Sequence, residues 1–432
     1  MLVSMDTTRA DDLSCYGGRY ASTPNLDALA ARGVRFALAL SPAPTTLSAH
    51  ASLFTGRDAH GTAILRNGDT LGAELPTLSE RFAAAGWDTI GVVAASALDH
   101  ATGINRGFRL FDDTMDAAVR RRYESSGPDL TRRALAAVDQ RAPGRPLFLF
   151  VHYYDAHMPW TSAPAAFQAR FLNPDYTGAL RPGSSSLSRL VQQTRVGRAD
   201  PADRDQALRY HRAEVAWADQ ALGGLLDGLE SRGLLQDSLI IAAADHGESL
   251  GEAGALEAYG HGIDVDPAVL HVPLIMSGRG RLQTPIAVVD RQVRLQDVGS
   301  TALAAAGLAS PLGEGEDLTP LWRGERPPAP LAFAEANKPA DRGSPTAWNN
   351  LTLERAVADG AHLLVRTPWR RDEVALYAVS PAWPQVEDAA VTAALSERLA
   401  AWDAAAPPHR ALTVDKETEA QLRALGYWEE SP

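Results

Sequence analysis

Three apolar runs of strand length, each stopping at a polar cluster, constrain this chain more than any other feature. Met1-Leu-Val-Ser-Met5 runs into Asp6-Thr-Thr-Arg-Ala-Asp-Asp12. Pro146-Leu-Phe-Leu-Phe-Val-His152 runs into Tyr153-Tyr-Asp-Ala-His-Met-Pro-Trp160, and Ser238 to Ala244 runs into Asp245-His-Gly-Glu248. Unbroken apolar runs of about four to eight residues suit strands buried on both faces, as in a parallel sheet covered by helices. Such sheets bind ligands outside the carboxyl ends of their strands. The Asp and His clusters therefore stand where a site is expected.

Helical stretches alternate with these runs. Thr23-Pro24 opens one that carries Leu26, Leu29 and Ala30 and closes at Gly33. Pro76-Thr77 opens a second, with Leu78 and Phe82 on one face and Gly86 at its end, followed by a buried strand over Thr89 to Ala94. Asp129 is placed to cap a helix over Leu130 to Gln140, and Leu208, Val215, Leu222 and Leu229, seven apart, mark a longer one. From Thr161 to Arg204 the periodicity lapses into Pro-, Ser-, Gly- and Arg-rich sequence of the sort that forms a lid or binding loop. Val272 to Met276 is a further apolar strand, and a helix over Gln296 to Ala306 closes at Gly307.

The expected fold class is α/β: a mostly parallel sheet flanked by helices over residues 1–310, then a Pro/Gly/Glu-rich linker at 311–330. Residues 331–432 read as a C-terminal α+β subdomain. Within it, Leu331 to Ala336, Arg355 to Ala358 and His362 to Arg366 form a small antiparallel sheet with a hairpin at Asp359-Gly360, and helices lie near Val391 to Trp402 and Glu417 to Leu425.

Composition limits the partners. A chain of 432 residues exceeds one ordinary core, which fits a large domain with a smaller one beside it. The formal charge of -12 and pI near 5.4 argue against a nucleic-acid footprint, which needs a basic face. An anionic substrate must then be drawn by something local, such as a metal ion. The single Cys15 excludes an internal disulfide framework and any multi-cysteine metal site. No apolar run approaches the roughly 20 residues of a membrane span. The N-terminus carries no signal-like segment, which reads as cytoplasmic as written. Met1 to Met5 already looks like part of a strand, however, so an upstream segment, and with it a periplasmic or secreted location, stays open. Oligomeric state is left open too.

Asp6, Asp245 and His246 offer two hard carboxylates and one imidazole, a mixture suited to Mn²⁺, Mg²⁺, Ca²⁺ or Zn²⁺. The bland alternative is that the two Asp residues only cap strand ends. His152, His157 and His261 can place protons or donate to charge developing on a leaving oxygen. Ser41-Pro-Ala-Pro-Thr-Thr-Leu-Ser-Ala-His50, ahead of Ala-Ser-Leu-Phe, reads as a loop feeding a helix N-terminus, which favours an anion. A hydroxyl in it, next to a metal, would become a nucleophile. Glu248 and Glu252 suit either extra ligands or turn caps; Asp11 and Asp12 suit solvated or salt-bridged positions.

In order along the chain, several of these stretches resemble the signatures of the sulfatase family within the alkaline phosphatase superfamily. They are Asp6-Thr-Thr-Arg-Ala-Asp11, Thr23-Pro-Asn-Leu-Asp27, Thr46 to Gly56, His60-Gly61, His152-Tyr-Tyr-Asp-Ala-His157, Asp245-His-Gly-Glu248, His261-Gly262, Val272-Pro-Leu274 and Leu422-Arg-Ala-Leu-Gly-Tyr427. The resemblance implies an alkaline-phosphatase-like fold and one divalent metal (Mn²⁺, Ca²⁺ or Mg²⁺, with Zn²⁺ admitted) on Asp6, Asp245, His246 and the nucleophile. It also implies His157 and His261 at the transferred group or leaving oxygen, and Asn67 and His152 among substrate contacts.

The departures redirect the chemistry. Counted back from Thr55-Gly56, the family's Cys-x-Pro-Ser-Arg signature is here Thr46-Leu-Ser-Ala-His50. Threonine cannot be oxidised to the formylglycine aldehyde, because its methyl would leave a ketone, so no formylglycine is expected. The lysine that many sulfatases carry after the second histidine is absent from Ile263 to Leu270. A threonine nucleophile resembles the phosphonate and phosphodiester hydrolases and phosphoglycerol transferases of the superfamily, with His50 in place of the signature arginine, supporting Thr46. The expectation is a metal-dependent hydrolase or transferase of small phosphate-type esters. The alternatives are a sulfuric ester hydrolase working without formylglycine, and a non-catalytic relative that binds metal or an anion.

Overall fold

The computed structural model describes residues 1–432 except 19–21, 116–124, 253–254, 256, 284–287, 338–353, 369–372 and 407–432. The expected helix over Glu417 to Leu425 and the Leu422 to Tyr427 tail lie outside the described residues.

The centre is an eight-stranded sheet. From one edge its strands are Val288–Val289, Val34–Phe36, Leu274–Gly278, Leu239–Ala243, Leu2–Met5, Leu147–Tyr153, Asp88–Val93 and Leu110–Asp112. Only Leu274–Gly278 runs against its neighbours, pairing antiparallel with Leu239–Ala243 and Val34–Phe36. The three runs that end in Asp/His clusters are adjacent central strands: Leu2–Met5 lies between Leu147–Tyr153 and Leu239–Ala243, parallel to both. The Asp6 N–H extends the ladder to the Tyr153 carbonyl at 2.9 Å. Adjacent parallel strands end on one side of the sheet, so the three clusters converge there without any long loop.

Both faces are covered, which is why these strands read as unbroken apolar runs. Leu2, Phe150 and Ile241 face one layer, including Leu47, Leu53 and Phe54 of the helix Thr46–Thr55 and Val298 and Leu303 of the helix Asp297–Ala305. Val3, Val151 and Ile240 face the other, built from Leu26 and Leu29 of Pro24–Arg32, Leu130 and Val138 of Gly127–Asp139, and Val215, Leu222 and Leu229 of Pro201–Ser231. The helix Leu78–Ala84 starts with a full capping box between Thr77 and Glu80.

Two departures from the sequence reading concern caps. Asp129 does not cap its helix: the helix starts two residues earlier, at Gly127, whose N–H is taken by the side chain of Asp155, while Asp129 pairs with Arg132 and Arg133. In the same way Asp219 accepts from the N–H groups of Asn25 and Leu26 at the start of Pro24–Arg32. Such caps from distant residues leave no local signal.

The segment from 161 to 204 is also more ordered than its composition suggests. It holds the short helix Ala165–Gln168 and the helix Ser185–Arg195, the latter capped by Ser184. Leu187 and Leu190 bury one face of that helix against Trp160, Leu180, Tyr210, Leu250 and Tyr259. Glu214 anchors the start of the segment through the Ala163 N–H and the Gln168 amide.

Residues 311–330 pack into the main core through Leu312, Leu318, Leu321 and Trp322. Beyond them, Ala332–Ala336, Glu354–Ala358, His362–Thr367 and Glu373–Ala378 form the antiparallel C-terminal sheet, one strand larger than the sequence reading counted. Gly360, at φ 94°, turns the expected hairpin. The helix Ala389–Ala404 lies on this sheet through Leu395 and Leu399. The sheet reaches the site directly, because the Glu335 N–H donates to the carbonyl of Pro42 in the loop before Thr46.

Candidate active site

Thr46 is the first residue of its helix and is fully buried. The Thr45 side chain does not cap the helix; its hydroxyl donates to Ser48 Oγ. The N–H of Leu47 is satisfied instead by Asn67 Oδ1 at 2.9 Å, while Asn67 Nδ2, also buried, has no protein partner. The helix start thus offers partial positive charge, and an amide donor stands beside it. At the other end Gly56 takes φ 67°, and a Cβ there would sit 1.9 Å from the Leu312 carbonyl oxygen, so only glycine closes this helix.

The Thr46 hydroxyl donates to Asp6 Oδ2 at 3.1 Å and lies 3.5 Å from His246 Nε2. Asp6, Asp245 and His246 each place a ligand atom within 4.8 Å of the others. His246 Nδ1 faces the Gly247 carbonyl at 2.8 Å; a carbonyl only accepts, so the proton is on Nδ1 and the Nε2 lone pair faces the cluster. Gly247 is needed there, since a Cβ would meet the Ala268 oxygen at 2.1 Å.

Charge in this cluster is uncompensated. Asp6 Oδ1 and Asp245 Oδ2 are buried without hydrogen-bond partners. Burial pushes the Asp6 carboxyl up to about 6 against the opposing pull of His246 and Thr46. Burial, then the neighbouring Asp6, pushes Asp245 up as well. Two desolvated carboxylates with spare lone pairs, an imidazole presenting a lone pair and a threonine hydroxyl make a donor set that fits one hard or borderline divalent cation.

His50, His152 and Asp245 form a second cluster of potential ligands. It does not suit a metal, because both His50 nitrogens are engaged: Nδ1 donates to the Thr46 carbonyl at 2.7 Å and Nε2 accepts from Ser4 Oγ at 2.9 Å. These contacts give the expected support of Thr46 by His50 a definite form. His50 holds the backbone of Thr46 rather than its hydroxyl, and burial lowers it to about 4, so it stays neutral. His152 is buried beside Asp6, with Nε2 3.2 Å from Asp6 Oδ2, and burial lowers it to about 4 as well.

Beside His246 stand His261 and, paired with it, His157. His157 Nδ1 donates to the Met158 carbonyl at 2.6 Å and His261 Nδ1 to the Pro44 carbonyl at 2.9 Å. Their Nε2 atoms face each other at 2.8 Å. With both Nδ1 positions protonated, two bare lone pairs would repel at that distance, and a proton shared between the Nε2 atoms turns the contact into a hydrogen bond. His261 packs against His246 with ring centroids 4.3 Å apart, which sets this pair against the Asp6/Asp245/His246 cluster.

All the candidate residues, Asp6, Thr46, His50, Asn67, His152, His157, Asp245, His246 and His261, converge here. Two contributors carried no clear sequence signal. Ser4 holds His50 from an otherwise apolar strand. Thr7 adopts φ 52°, unusual for a threonine, with its buried hydroxyl unpartnered at the end of the first strand. Glu248 is not a ligand: its carboxylate accepts from the Met158 N–H and Trp160 Nε1, clamping the loop that carries His157. Glu252 pairs with Arg9, Asp11 pairs with Arg9, and Asp12 pairs with Arg212.

Comparison with known proteins bears on the family and the fold. The sulfatase family model matches residues 1–308. The chain is 24% identical over 350 residues to an ulvan-active sulfatase of Formosa agariphila, covering 75% of this chain, and 24% identical over 333 residues to the uncharacterized sulfatase YidJ of Escherichia coli, covering 67%. In both cases it spans 65% of the relative's length. Among solved structures, the phosphonate monoester hydrolase of Agrobacterium radiobacter superposes with a TM-score of 0.72 at 21% identity, covering 93% of this chain and 95% of the other. That of Silicibacter pomeroyi gives 0.71 at 21% identity, covering 95% and 96%.

Proposed function

The chain belongs to the sulfatase family, and from that premise we propose that it is a metal-dependent hydrolase or transferase of small phosphate-type esters with Thr46 as its nucleophile. The observation that carries this reading is the place of the Thr46 hydroxyl: at a helix N-terminus, bonded to Asp6 Oδ2, against the Asp6/Asp245/His246 cluster. Asp6, Asp245, His246 and Thr46 would hold one divalent ion. Bound there, it would neutralise the substrate's charge and lower the pKa of the threonine hydroxyl.

The remaining chemistry falls to the chain's own groups. The Thr46 hydroxyl gives its proton towards Asp6, and its oxygen attacks phosphorus in line as the bond to the leaving oxygen breaks. That oxygen takes the proton held between His157 and His261. In the second step the same pair removes a proton from water, or from an acceptor alcohol, whose oxygen attacks phosphorus as the bond to Thr46 breaks and the threonine oxygen takes its proton back from Asp6. The free Asn67 Nδ2 donates to a non-bridging oxygen of the transferred group. His50 and Ser4 hold the Thr46 backbone throughout.

Sulfate ester cleavage is the second reading, favoured by the names of the relatives. Against it stands the chemistry of position 46, which cannot yield the formylglycine aldehyde. A panel of nitrophenyl phosphate, phosphodiester, phosphonate and sulfate substrates separates the two, together with mass spectrometry of quenched enzyme. The expected result is phosphate-type turnover and a phosphoryl adduct on Thr46, both lost in Thr46→Ala. Dominant sulfate turnover, or an active Thr46→Ala enzyme, overturns the proposal. Metal binding without turnover on the whole panel would favour a purely binding role.

A further inference from the structure

Residues 176–199 contain Arg181, Arg189, Arg195 and Arg198 and no Asp or Glu, in a chain whose formal charge is -12. All four arginines are exposed, and none has an acidic partner among the described residues. Among the acids that border the stretch, Asp203 takes the Tyr176 hydroxyl, Asp205 pairs with Arg209 and Asp200 caps the helix Pro201–Ser231, while Asp175 is exposed and forms no ion pair with any of the four arginines. The positive charge of this arm is therefore left to solvent.

Its position ties it to the site. Leu187 and Leu190 dock the helix Ser185–Arg195 on Trp160, Leu250 and Tyr259. Trp160 follows His157 by three residues, Leu250 follows His246 by four, and Tyr259 precedes His261 by two. The arm thus rests on the three segments that carry the site's histidines. The Tyr259 hydroxyl has Thr194, next to Arg195, among its polar neighbours.

We propose that this arginine arm reads a second anionic group on the substrate, so that the preferred substrate is an ester bearing at least one further phosphate, sulfate or carboxylate beyond the group transferred. Guanidinium groups suit such oxyanions because their donors form planar pairs, and unpaired surface charge raises the local concentration of a polyanion that the protein's overall charge would repel. The inference rests on the active-site reading above, which it sharpens to a substrate class.

Two measurements test it separately from that reading. In the first, matched nitrophenyl phosphodiesters with a neutral tail or with a tail ending in phosphate, sulfate or carboxylate are compared in wild type and in a triple variant, Arg189→Ser, Arg195→Ser and Arg198→Ser. Exposed pairs of this kind are individually weak, so the three together are expected to favour charged tails by about five- to fiftyfold in kcat/KM, mainly through KM. The preference should fade with added salt and vanish in the triple variant, which keeps wild-type turnover of the neutral-tailed ester. The ranking of the three tails identifies the distal group. Equal use of neutral and charged tails by the wild type, or a preference that survives in the variant, overturns the proposal. In the second, a sulfated hexasaccharide is titrated into Thr46→Ala protein with and without the three substitutions. Weaker, salt-sensitive binding on losing the arginines supports the arm even if the esters are not turned over, whereas equal binding by both proteins sinks it.

Discussion

Replacing Glu248 by glutamine separates the positioning of His157 from the stability of the fold. The buried carboxylate takes the Met158 N–H at 3.3 Å and the Trp160 indole N–H at 3.2 Å. Burial raises its pKa from 4.5 to about 7, so above pH 7 keeping it ionised costs on the order of 3 kcal/mol. Glutamine removes that cost but can accept from only one of the two donors, because its amide NH₂ meets the other. One hydrogen bond to a charged group is then lost, worth roughly 1.5–3 kcal/mol. The two effects nearly cancel in stability, and at pH 8 the melting temperature of Glu248→Gln should stay close to wild type. They do not cancel at the loop. If the lost bond is expressed as misplacement of His157, kcat falls by about ten- to a hundredfold. The loss should be greater for an alkyl ester, whose leaving oxygen needs a proton, than for a nitrophenyl ester, which leaves without one. Steady-state kinetics on the two esters beside a thermal melt provide the assay. Unchanged kcat on both, or an equal loss on both, would refute the clamp.

Asp155 carries a pH-dependent penalty on the fold. It is buried, one oxygen caps Gly127 and the other has no partner, and burial raises its pKa from 3.8 to about 7. The native state therefore binds more protons than the unfolded state between about pH 4 and 7, and stability falls as pH rises through that window, by up to about 4 kcal/mol. Asp155→Asn should flatten this slope in urea unfolding at pH 5 and pH 8; an unaltered slope would show that another group sets it. Asp245→Asn should abolish calorimetrically detected Mn²⁺ binding, and a variant that binds as wild type would move the ion elsewhere. Trp402 stacks between His60, at 3.4 Å between ring centres, and Phe333, at 5.0 Å, and donates to Asp58. Trp402→Ala should cost about 3 kcal/mol and loosen the C-terminal sheet, seen as faster exchange of the amides in Ala332–Ala336. Protection unchanged from wild type would mean that the sheet is held without this stack.

The sheet was legible because its central strands are covered on both faces. Burial on both faces imposes an unbroken apolar run, and the run's end marks where backbone leaves the core for the site. Helices with an apolar stripe and a local terminator, such as Pro24–Arg32 and Leu78–Ala84, were legible for the same reason. What escaped were contacts between residues far apart in sequence. Asp155 and Asp219 cap helices from elsewhere in the fold, so Asp129, the nearest plausible cap, drew an assignment that the structure gives to another residue. The arm from 161 to 204 hid its helix because only Leu187 and Leu190 on it are buried, too few for a periodic signal among Ser, Gln and Arg.

In the site, residue identities were readable and their division of labour was not. Asp6, Asp245 and His246 announce themselves as donors at strand ends, and the Thr46 to His50 motif selects one hydroxyl among several. Whether a histidine ligates, titrates or supports depends on what each ring nitrogen faces, and that is fixed by carbonyls a sequence cannot place. His246, His157 and His261 each spend Nδ1 on a backbone carbonyl and turn Nε2 inwards. His50 spends Nδ1 on the Thr46 carbonyl and Nε2 on Ser4, and so has no nitrogen left for metal or substrate. That difference predicts how the site tolerates change. His50→Gln can still donate through its amide to the Thr46 carbonyl and should retain a substantial share of kcat, whereas His261→Gln loses a partner in the shared proton and should fall much further on an alkyl ester. Comparable losses in the two variants would mean that His50 reaches the reacting atoms after all, and that its hydrogen bonds to Thr46 and Ser4 do not define its part in catalysis.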